Sequence, residues 1–403
     1  MSREEKVRRA LGKPARYGPD LDLKAYVREA REWPTASIEE LPKEVTGRAS
    51  EVGVDGSGSG VYFQVDRSVV YRAVERMYEG KVEVLSVREA FEKYDWVEKL
   101  FWKLVEPDTD KYTALAYLEP DEGYFIRIHR GAKVERPIQT CMFVSTDKLD
   151  QNVHNLIVAE EGSEAHIITG CTLHPTVRSG LHVGVSEFYV KRGAKLTFSM
   201  VHAWAEGFDV RPRSRAVLED DATFVSNYVC LKPVRTFQAL PEALCEGKNS
   251  RVRFNTVIYG SGSSVIDVGA RAMLRGAGSR AEIVSRVVAS DSSEVCARGV
   301  LIGEVGDVRG HTECMGLLLS EDASIRAIPE LVGRSVGAEL THEAAIGKIS
   351  EEQVEYLMAR GFSREEAESL IVRGFMDVGM LKLPAGLEEK VKETVDSIAR
   401  KMY

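Results

Sequence analysis

Residues 249–323 read NSRVRFNTVIYGSGSSVIDVGARAMLRGAGSRAEIVSRVVASDSSEVCARGVLIGEVGDVRGHTECMGLLLSEDA, and this stretch decides how the chain folds. Within it, pairs of turn-forming residues recur every 13 to 16 residues, and short runs of alternating apolar and polar residues lie between them. The run Val252-Arg-Phe-Asn255 is an example. Alternation with a period of two is typical of a β-strand with one buried face. The stretch therefore predicts a series of short strands joined by tight turns.

The same turns continue toward the N-terminus at about twice this spacing, with gaps of 31, 28 and 28 residues. The turn pairs are Gly162-Ser163, Gly193-Ala194, Asp221-Ala222, Asn249-Ser250, Gly262-Ser263, Gly278-Ser279, Ser292-Ser293, Gly306-Asp307 and Asp322-Ala323. Short strands with turns at fixed intervals are typical of a solenoid, a sandwich or a barrel. Because Asn-Gly and Asp-Gly hairpin turns are scarce in this region, we favour a β-helix with about two short strands per coil.

The regions on either side of this repeat read as helical. Residues 68–78 and 86–105 carry apolar residues at helical spacing, and a capping box at Ser86 opens the second run. Ser350 and Ser363 begin capping boxes beyond the repeat. We expect three domains, which are an N-terminal helical region over residues 1–110, a β-helix core over residues 111–337 and a C-terminal helical domain over residues 338–403.

Composition and charge exclude several classes of protein. The net charge of −8 over 403 residues argues against nucleic-acid binding, which requires a basic surface. No stretch approaches the roughly 18 apolar residues of a membrane-spanning helix, and the charged N-terminus does not resemble a signal peptide. Six cysteines are present without a CxxC pair. We therefore expect a cytoplasmic protein with reduced thiols and with neither nucleic acid nor membrane as a partner.

Candidate metal ligands lie at the end of the repeat. Cys314, His342 and Glu343 supply a thiolate, an imidazole and a carboxylate, all of which bind borderline metal ions. These residues predict an iron or zinc site at a domain edge. Residues one coil apart in a solenoid stack on neighbouring rungs. We expect such stacking for Cys171 with Trp204, which are 33 residues apart, and for Cys314 with Glu343, which are 29 apart.

A family resemblance becomes specific at this point. Cys314 is followed by His342-Glu343-Ala344, by Lys348-Ile-Ser350 and then by helices that read YLMARGFSREEAESLIVRGF. Together these features resemble the SufB/SufD family, which supplies the scaffold subunits of the SUF iron–sulfur cluster assembly machinery. The segment FWKLVEPDTDKYTALAYLEPDEGYFIRIHRGAKVERPIQ, residues 101–139, resembles the entry to the family's core. The resemblance implies a mainly β fold with a right-handed parallel β-helix between helical ends.

The resemblance also implies roles for individual residues. Cys171 matches the family's proposed sulfur acceptor, and Trp204 matches an aromatic residue on its proposed sulfur path. His202 and His174 are weaker candidates. Cys314 matches the cysteine that holds the nascent cluster, with His342 and Glu343 as further ligands. One cysteine, one histidine and one glutamate do not fill a cluster's four positions, so the remaining ligands come from a partner subunit, sulfide or a thiol.

Partners and cofactors follow from the same resemblance. The implied cofactor is a transient iron–sulfur cluster of the 4Fe–4S type, with reduced flavin as a further candidate. The implied partners are a SufC-type ABC ATPase docked on the C-terminal helices, a sulfur donor protein, and a second subunit in a homodimer or a SufB–SufD heterodimer. Because this chain has no nucleotide-binding motif, we expect a scaffold and not an enzyme, with ATPase activity only in the partner.

Some features depart from the family pattern. The first cysteine is Cys141, and positions where the family's tunnel has Arg, Asn and Lys hold Phe143, Ser145 and Glu219-Asp220. The chain nevertheless keeps the Cys and Glu that SufD typically lacks, so we read it as SufB-like.

Two alternatives stay open. One is a SufD-type subunit that shapes the assembly interface and holds no cluster. The other is a β-helix enzyme acting on polysaccharide, with Asp209, Glu219 and Asp220 as candidate carboxylates.

Overall fold

Strands of the repeat lie side by side in parallel and wind into a β-helix of about 8 coils, with helices at both ends. The structure is a computed structural model that describes residues 2–400. Strands account for 43% of the chain and helices for 20%. These features confirm the predicted mainly β fold, and they follow from the alternating runs and regular turns of residues 249–323.

Two sheets form the walls of the coil. Sheet I contains β1 Gly60–Val65, β2 Ser68–Val74, β5 Ile138–Val144, β7 Glu164–Leu173, β9 Lys195–Ala203, β12 Thr223–Cys230, β15 Arg251–Gly260, β17 Arg280–Ala289, β19 Val308–Leu318 and β21 Ala338–Lys348. Sheet II contains β3 Val82–Ser86, β4 Tyr124–Ile128, β6 Asp150–Ala159, β8 Ser179–Val190, β10 Gly207–Val210, β11 Arg213–Leu218, β13 Thr236–Ala239, β14 Glu242–Cys245, β16 Val265–Leu274, β18 Glu294–Gly303 and β20 Ser324–Gly333. The strand pairs are parallel except β1 with β2 and β3 with β4.

The predicted turns stack in two columns along the β-helix. One lies where the chain passes from sheet II to sheet I, and the other, with Gly262 and Asp291, lies where it passes from sheet I to sheet II. At eight of these turns one residue has a positive φ between 54° and 74°. These residues are Gly162, Gly193, Asp221, Asn249, Gly262, Gly278, Asp291 and Asp307. Glycine, asparagine and aspartate adopt this left-handed conformation at the least cost, which explains the composition of the turns. Backbone hydrogen bonds join the turns of neighbouring coils, as from Gly193 N–H to Asp220 O at 2.8 Å.

The main core fills the space between the two sheets. Alternate side chains of each strand point inward, as with Leu196, Phe198 and Met200 on β9. Phe188 of sheet II contacts Phe198 and Phe224 of sheet I, with ring centroids 4.8 and 5.0 Å apart. Burial of each such ring stabilises the fold by about 1.5–3 kcal/mol, so the interior aromatic residues hold the two walls together.

Helices cover the outer faces of the sheets. They are α1 Arg3–Ala10, α2 Lys43–Glu51, α3 Val87–Lys93, α4 Lys111–Leu118, α5 Glu351–Met358, α6 Arg364–Phe375 and α7 Ala385–Arg400. Helix α4 packs Tyr112 and Leu115 against sheet II. Helix α7 packs Val391 and Val395 against the outer face of sheet I. Within residues 2–400, none of these helices combines the length and the apolar character that crossing a membrane requires.

The N-terminal region differs from the helical region that we predicted. Residues 68–74 form strand β2, because this run of β-branched and aromatic residues, including Val69 and Tyr71, pairs with β1 and extends sheet I. In the run over residues 86–105, the helix spans only Val87–Lys93. The capping box at Ser86 is confirmed, since Ser86 Oγ accepts a hydrogen bond from the Glu89 N–H.

The C-terminal end of the coil also differs from prediction. Strand β21 continues sheet I beyond residue 337, and the first C-terminal helix begins only at Glu351. The capping box at Ser363 is confirmed, whereas the Ser350 side chain makes no capping hydrogen bond. The division into three domains at residues 110 and 337 stays a prediction, although the elements on either side of these positions are now known.

A buried carboxylate ties the N-terminal region to sheet II. Glu187 on β8 is fully buried and accepts backbone hydrogen bonds from Trp102, Leu104 and Val105. It also contacts His154 Nε2 at 2.9 Å. A loop without regular structure thus gains acceptors for three N–H groups that no strand or helix satisfies.

Glu187→Ala should destabilise the protein strongly. The change leaves three buried N–H groups without an acceptor, each costing about 1–3 kcal/mol. We expect the free energy of unfolding to fall by about 3 kcal/mol or more, measured by denaturant titration followed by circular dichroism. The matched control is Glu164→Ala, because Glu164 is 49% exposed and pairs with Lys133 at 3.1 Å on the surface. It should change stability by less than about 1 kcal/mol, and equal effects of the two variants would contradict the assignment.

Candidate functional site

Three potential metal ligands meet inside the β-helix. Cys171 on β7 and His202 on β9 are paired in register in sheet I. His182 on β8 reaches them from sheet II. The Cys171 Sγ and one ring nitrogen of each histidine all lie within 4.8 Å of one another, and the three residues are 1–2% exposed. We call these three residues the interior cluster.

Strand alternation places these side chains inside. His202 follows Phe198 and Met200 at every second position of β9, and both of those residues belong to the interior core. Cys171 alternates in the same way with Ile167 on β7. His182 has the same parity as Phe188, the inward-facing ring of β8. The parallel register then sets Cys171 beside His202 across 31 residues of chain, which is one coil.

Hydrogen bonds orient the two imidazoles. The Gln151 side-chain amide donates from Nε2 to Asp66 O at 2.8 Å, so its Oε1 is left as an acceptor. His182 Nδ1 therefore donates to Gln151 Oε1 at 2.9 Å, and His182 Nε2 keeps a free lone pair. His202 Nδ1 is hydrogen bonded to the Tyr228 hydroxyl, whereas its buried Nε2 has no partner among the described residues.

Burial also sets the protonation of the cluster. Desolvation lowers the pKa of His182 to about 3 and lowers the pKa of His202 well below its usual value. Both imidazoles are therefore neutral at pH 7, the form in which histidine binds metals. Burial raises the pKa of the Cys171 thiol above its ordinary range. A bound cation would favour the thiolate, and transfer of sulfur to this thiol requires the same deprotonation.

Trp204 lies beside the interior cluster. Its ring stacks on Phe208 at 4.5 Å, and its centroid lies 5.1 Å from that of His182 and 5.4 Å from that of His202. The structure thus brings Trp204 near Cys171, although the register partner of Cys171 is His202 and not the Trp204 that we expected. Beyond the cluster, a cavity of about 40 Å³ is lined by residues that include Met200, Tyr228 and Phe237. The roles in sulfur transfer predicted for Cys171 and Trp204 stay predictions.

Cys314, His342 and Glu343 lie in the last coil. Cys314 on β19 is in register with Ala344 on β21, while Thr312 faces His342 and Glu313 faces Glu343. Side chains alternate along a strand, so Cys314 and His342 share one face of sheet I and Glu343 lies on the other. The expected stacking of Cys314 on Glu343 is therefore wrong by one residue.

The three residues differ in exposure. Cys314 is partly buried against the interior core, whereas His342 and Glu343 are exposed on the edge strand β21. Across residues 2–400, only the interior cluster brings three such ligand atoms within 4.8 Å of one another. Burial raises the pKa of the Cys314 thiol to about 11, with Arg286 acting in the opposite direction. Cluster binding by these residues stays a prediction.

Our sequence reasoning did not single out His182 and gave little weight to His202. The signal was available, because His202 lies one coil after Cys171 at an inward-facing position. His182 carries no comparable signal, since it approaches from the opposite sheet. His174, another weak candidate, lies in a surface turn, with its Nδ1 2.7 Å from Thr176 Oγ1.

The carboxylates that we considered for an enzyme acting on polysaccharide make structural hydrogen bonds and ion pairs. Asp209 accepts a hydrogen bond from Tyr26 Oη at 2.7 Å and pairs with Arg235. Glu219 pairs with Lys191 at 2.8 Å, and Asp220 accepts from the Lys248 N–H at 2.7 Å. Each carboxylate is thus held by structural partners, and this alternative gains no support.

The positions that depart from the family's tunnel have structural partners in this chain. Phe143 packs outward against Phe63, with ring centroids 6.4 Å apart. Ser145 is hydrogen bonded to Asp66, and Glu219 and Asp220 lie at a turn.

Comparison with known proteins places the chain among iron–sulfur assembly proteins. It matches the family profile described as SUF system FeS cluster assembly, SufBD core domain, over residues 142–375. It is 45% identical over 401 residues to an iron–sulfur cluster assembly SufBD family protein of Methanothermobacter thermautotrophicus, covering 97% of each chain. A protein of the same description from Archaeoglobus fulgidus is 48% identical over 356 residues, 88% of this chain and 95% of its own. The iron–sulfur cluster assembly protein SufB of Bacillus subtilis is 28% identical over 375 residues, 90% of this chain and 78% of its own.

Thiol alkylation of the native protein should distinguish the two cysteines. Cys314 is partly exposed and Cys171 is 1% exposed, so iodoacetamide should label Cys314 and spare Cys171. With a pKa of about 11, the Cys314 rate should rise about tenfold per pH unit between pH 7 and 9, as the thiolate fraction does. Peptide mass spectrometry measures both rates. Labelling of Cys171 as fast as Cys314 would contradict the structure.

Proposed function

The chain belongs to the SufBD family of the SUF iron–sulfur cluster assembly system, and from this premise we propose that it is a scaffold on which clusters are built. It accepts sulfur and iron and releases the finished cluster under the control of a SufC-type ABC ATPase. The chain works in the cytoplasm and is not itself an enzyme. The observation that carries this proposal is the open last coil, which presents Cys314 beside an uncovered sheet edge.

The uncovered edge supports a subunit interface. Strands β20 and β21 end sheets II and I, and most of their side chains are exposed. Apolar residues are among them, including Leu331 at 38% and Ile346 at 40% exposure. Natural proteins cover long exposed sheet edges, because unpaired strands associate with other chains. We propose that a second subunit covers this edge, either as a homodimer or as a SufB–SufD-type heterodimer.

The interface would complete the ligand set for the cluster. Cys314 and His342 share one face of sheet I, and Glu343 lies on the other face of the edge strand. A single chain thus presents its ligands on two faces of the sheet. A second subunit or added sulfide is needed to supply the remaining ligands of the cluster. A cluster held by few thiolates, with a carboxylate among its ligands, is held weakly. Weak binding suits a 4Fe–4S cluster that is cargo to be handed on.

The C-terminal helices offer a docking surface for the ATPase. Helices α5 and α6 enclose a groove lined by Tyr356, Leu357, Leu370, Ile371 and Phe375. Tyr356 is 58% exposed and Leu370 is 44% exposed. Exposed aromatic and aliphatic residues around a groove are typical anchors of a protein–protein interface. We propose that the SufC-type ATPase binds here, and that its ATP-driven movement opens the interface at β21.

Sulfur would enter at Cys171. The Cys171 thiolate attacks the outer sulfur of a persulfide on the sulfur donor protein, the donor's S–S bond breaks, and the donor leaves as a thiolate, with Trp204 on the path. The buried thiol requires both deprotonation and local opening of the coil before it reacts. Release of sulfide from a persulfide consumes two electrons and restores the thiolate. Reduced flavin is our candidate for the source of these electrons.

Anaerobic reconstitution tests the scaffold. Wild-type protein supplied with ferrous iron, sulfide and a thiol reductant should gain a labile cluster, visible by absorption and by iron counting. Cys314→Ala should hold at least about tenfold less cluster iron, because it lacks the thiolate ligand. The matched control is Cys245→Ala, which removes a fully buried thiol on β14, outside the last coil. It should leave cluster binding unchanged.

The outcome separates the two subunit types. If Cys314→Ala retains as much cluster as wild type and Cys245→Ala, Cys314 is structural and the SufD-type alternative replaces the scaffold. The assay is repeated with the SufC-type ATPase and ATP. Faster release of the cluster from the wild type with the ATPase and ATP than without them would support ATP-dependent opening.

Charge placed in the α5–α6 groove should abolish ATPase binding. Tyr356→Glu and Leu370→Glu each put a carboxylate at an exposed apolar anchor, so affinity for the SufC-type ATPase should fall at least about tenfold. The control is Met77→Glu, which changes an apolar side chain that is 59% exposed in the N-terminal region. Titration calorimetry measures binding, and circular dichroism verifies folding. Unchanged affinity in both groove variants would place the ATPase elsewhere.

A further inference from the structure

We propose that Cys171, His182 and His202 bind one divalent transition-metal ion inside the β-helix, at a site separate from the cluster site of the last coil. The ion is of the zinc or ferrous type, held by one thiolate and two imidazoles. The site shares Cys171 with the proposed sulfur entry, but the inference does not rest on the scaffold function, because neither Cys314 nor the subunit interface takes part in it.

The ligand atoms suit such an ion. In a tetrahedral site with bonds of about 2.0–2.3 Å, the ligand atoms lie roughly 3.5 Å apart. The three atoms of the interior cluster lie within 4.8 Å of one another, so small side-chain rotations bring them onto one ion. One thiolate with two imidazoles is a ligand set that zinc and ferrous ions accept, whereas calcium and magnesium prefer oxygen.

The surroundings prepare the imidazoles for binding. Metal-binding histidines usually donate their other ring N–H to an acceptor, which fixes the ring and its tautomer. His182 donates to Gln151 Oε1 at 2.9 Å, and that amide is in turn held by Asp66 O. His202 has the Tyr228 hydroxyl in the same position on its outer nitrogen. A hydrogen bond at Nδ1 thus fixes the orientation of both rings.

An unpartnered nitrogen supplies an independent observation. His202 is 2% exposed, and its buried Nε2 has no hydrogen-bond partner among the described residues. A buried polar atom left without a partner costs about 1–3 kcal/mol, so native structures rarely keep one without a reason. Because Tyr228 occupies the other ring nitrogen, Nε2 is the atom of His202 left to bind a metal ion, and such an ion would satisfy it.

The site would keep one position open. Three protein ligands leave the fourth tetrahedral position to an outside ligand, as in exchangeable and catalytic zinc sites. A divalent ion with one thiolate and two neutral imidazoles carries a net positive charge in an apolar interior. The fourth ligand is therefore an anion, for which hydroxide and sulfide are the candidates.

Metal analysis of the full chain tests the site. Protein is produced with the Cys314→Ala change, so that cluster iron does not contribute, in media supplied separately with zinc, ferrous iron or cobalt. Purified anaerobically and freed of loose metal, it should retain about one ion per chain in the zinc or the ferrous arm. Cobalt should give the intense visible bands of a tetrahedral ion and a thiolate charge-transfer band.

Variants assign the ion to its ligands. Cys171→Ser, His182→Gln and His202→Gln should each lower bound metal more than about tenfold. His202→Cys keeps a ligand at that position, so it should retain the ion and strengthen the charge-transfer band. The matched controls are Cys245→Ala and His166→Gln, which remove a buried thiol and a partly buried imidazole outside the cluster and should leave the metal content unchanged.

Gly184→Ala provides a second test of the metal site if the ligand variants fail to fold. A Cβ at position 184 would lie 3.1 Å from His182 Nε2, so it would crowd the ion without removing a ligand. The variant should lose metal and keep its circular dichroism spectrum. Less than about a tenth of an ion per chain in every arm, or equal metal in the Cys314→Ala parent and in the three ligand variants made from it, would overturn the proposal. Failure of cluster assembly at Cys314 would leave this result unaffected.

Discussion

Parallel hydrogen bonding between strands one coil apart is the constraint on which the rest of the structure depends. Each strand of sheet I pairs with the next without a shift of register from β7 to β21. A slip of one residue would turn every inward side chain outward. The turns that lead from sheet II to sheet I oppose such a slip, because the backbone N–H groups of Asp221 and Asn249 donate hydrogen bonds to the turn of the next coil. Interior positions therefore form continuous columns, and each column has its own chemistry.

The two ends of the coil differ in how they are covered. Antiparallel strands β2 and β3 complete sheets I and II at the N-terminal end, and the buried Glu187 fastens the adjoining loop. Outer faces are covered by helices, with Asn227 Nδ2 donating to Leu381 O to anchor the segment before α7. At the C-terminal end, β20 and β21 are left exposed. The chain therefore covers the N-terminal end of the coil with its own strands and leaves the C-terminal end uncovered. This difference favours the C-terminal edge as the place where another subunit binds.

Sequence alone predicted the β-helix and the turns because these depend on local signals. Gly193, Asp221 and Asn249 were found from their spacing, and their positive φ explains why these residue types recur. Residues 68–74 were misread as a helix because their pairing with β1 is a tertiary effect. The stacking of Cys314 on Glu343 failed by one residue, since spacing cannot locate the loop insertions that set the register. His182 was missed because contacts between opposite walls of the coil leave no period in the sequence.

The register also defines how the two candidate sites relate. Five strand steps separate Cys171 on β7 from Cys314 on β19, which corresponds to roughly 24 Å at the usual strand spacing. The interior column of Cys171 continues through His202 and Cys230 and then meets the apolar Ile258 and Val287.

The neighbouring column is different, because it runs through Tyr228, Thr256 and Ser285 to Cys314 itself. Tyr228 contacts His202 of the interior cluster, and both Tyr228 and Thr256 line the 40 Å³ cavity. Hydroxyl groups stabilise an anionic sulfur species by donating hydrogen bonds, whereas Ile258 and Val287 do not. Any sulfur that passes between the sites inside the coil would therefore be favoured along the hydroxyl column, which lies beside the column of Cys171, the proposed sulfur acceptor.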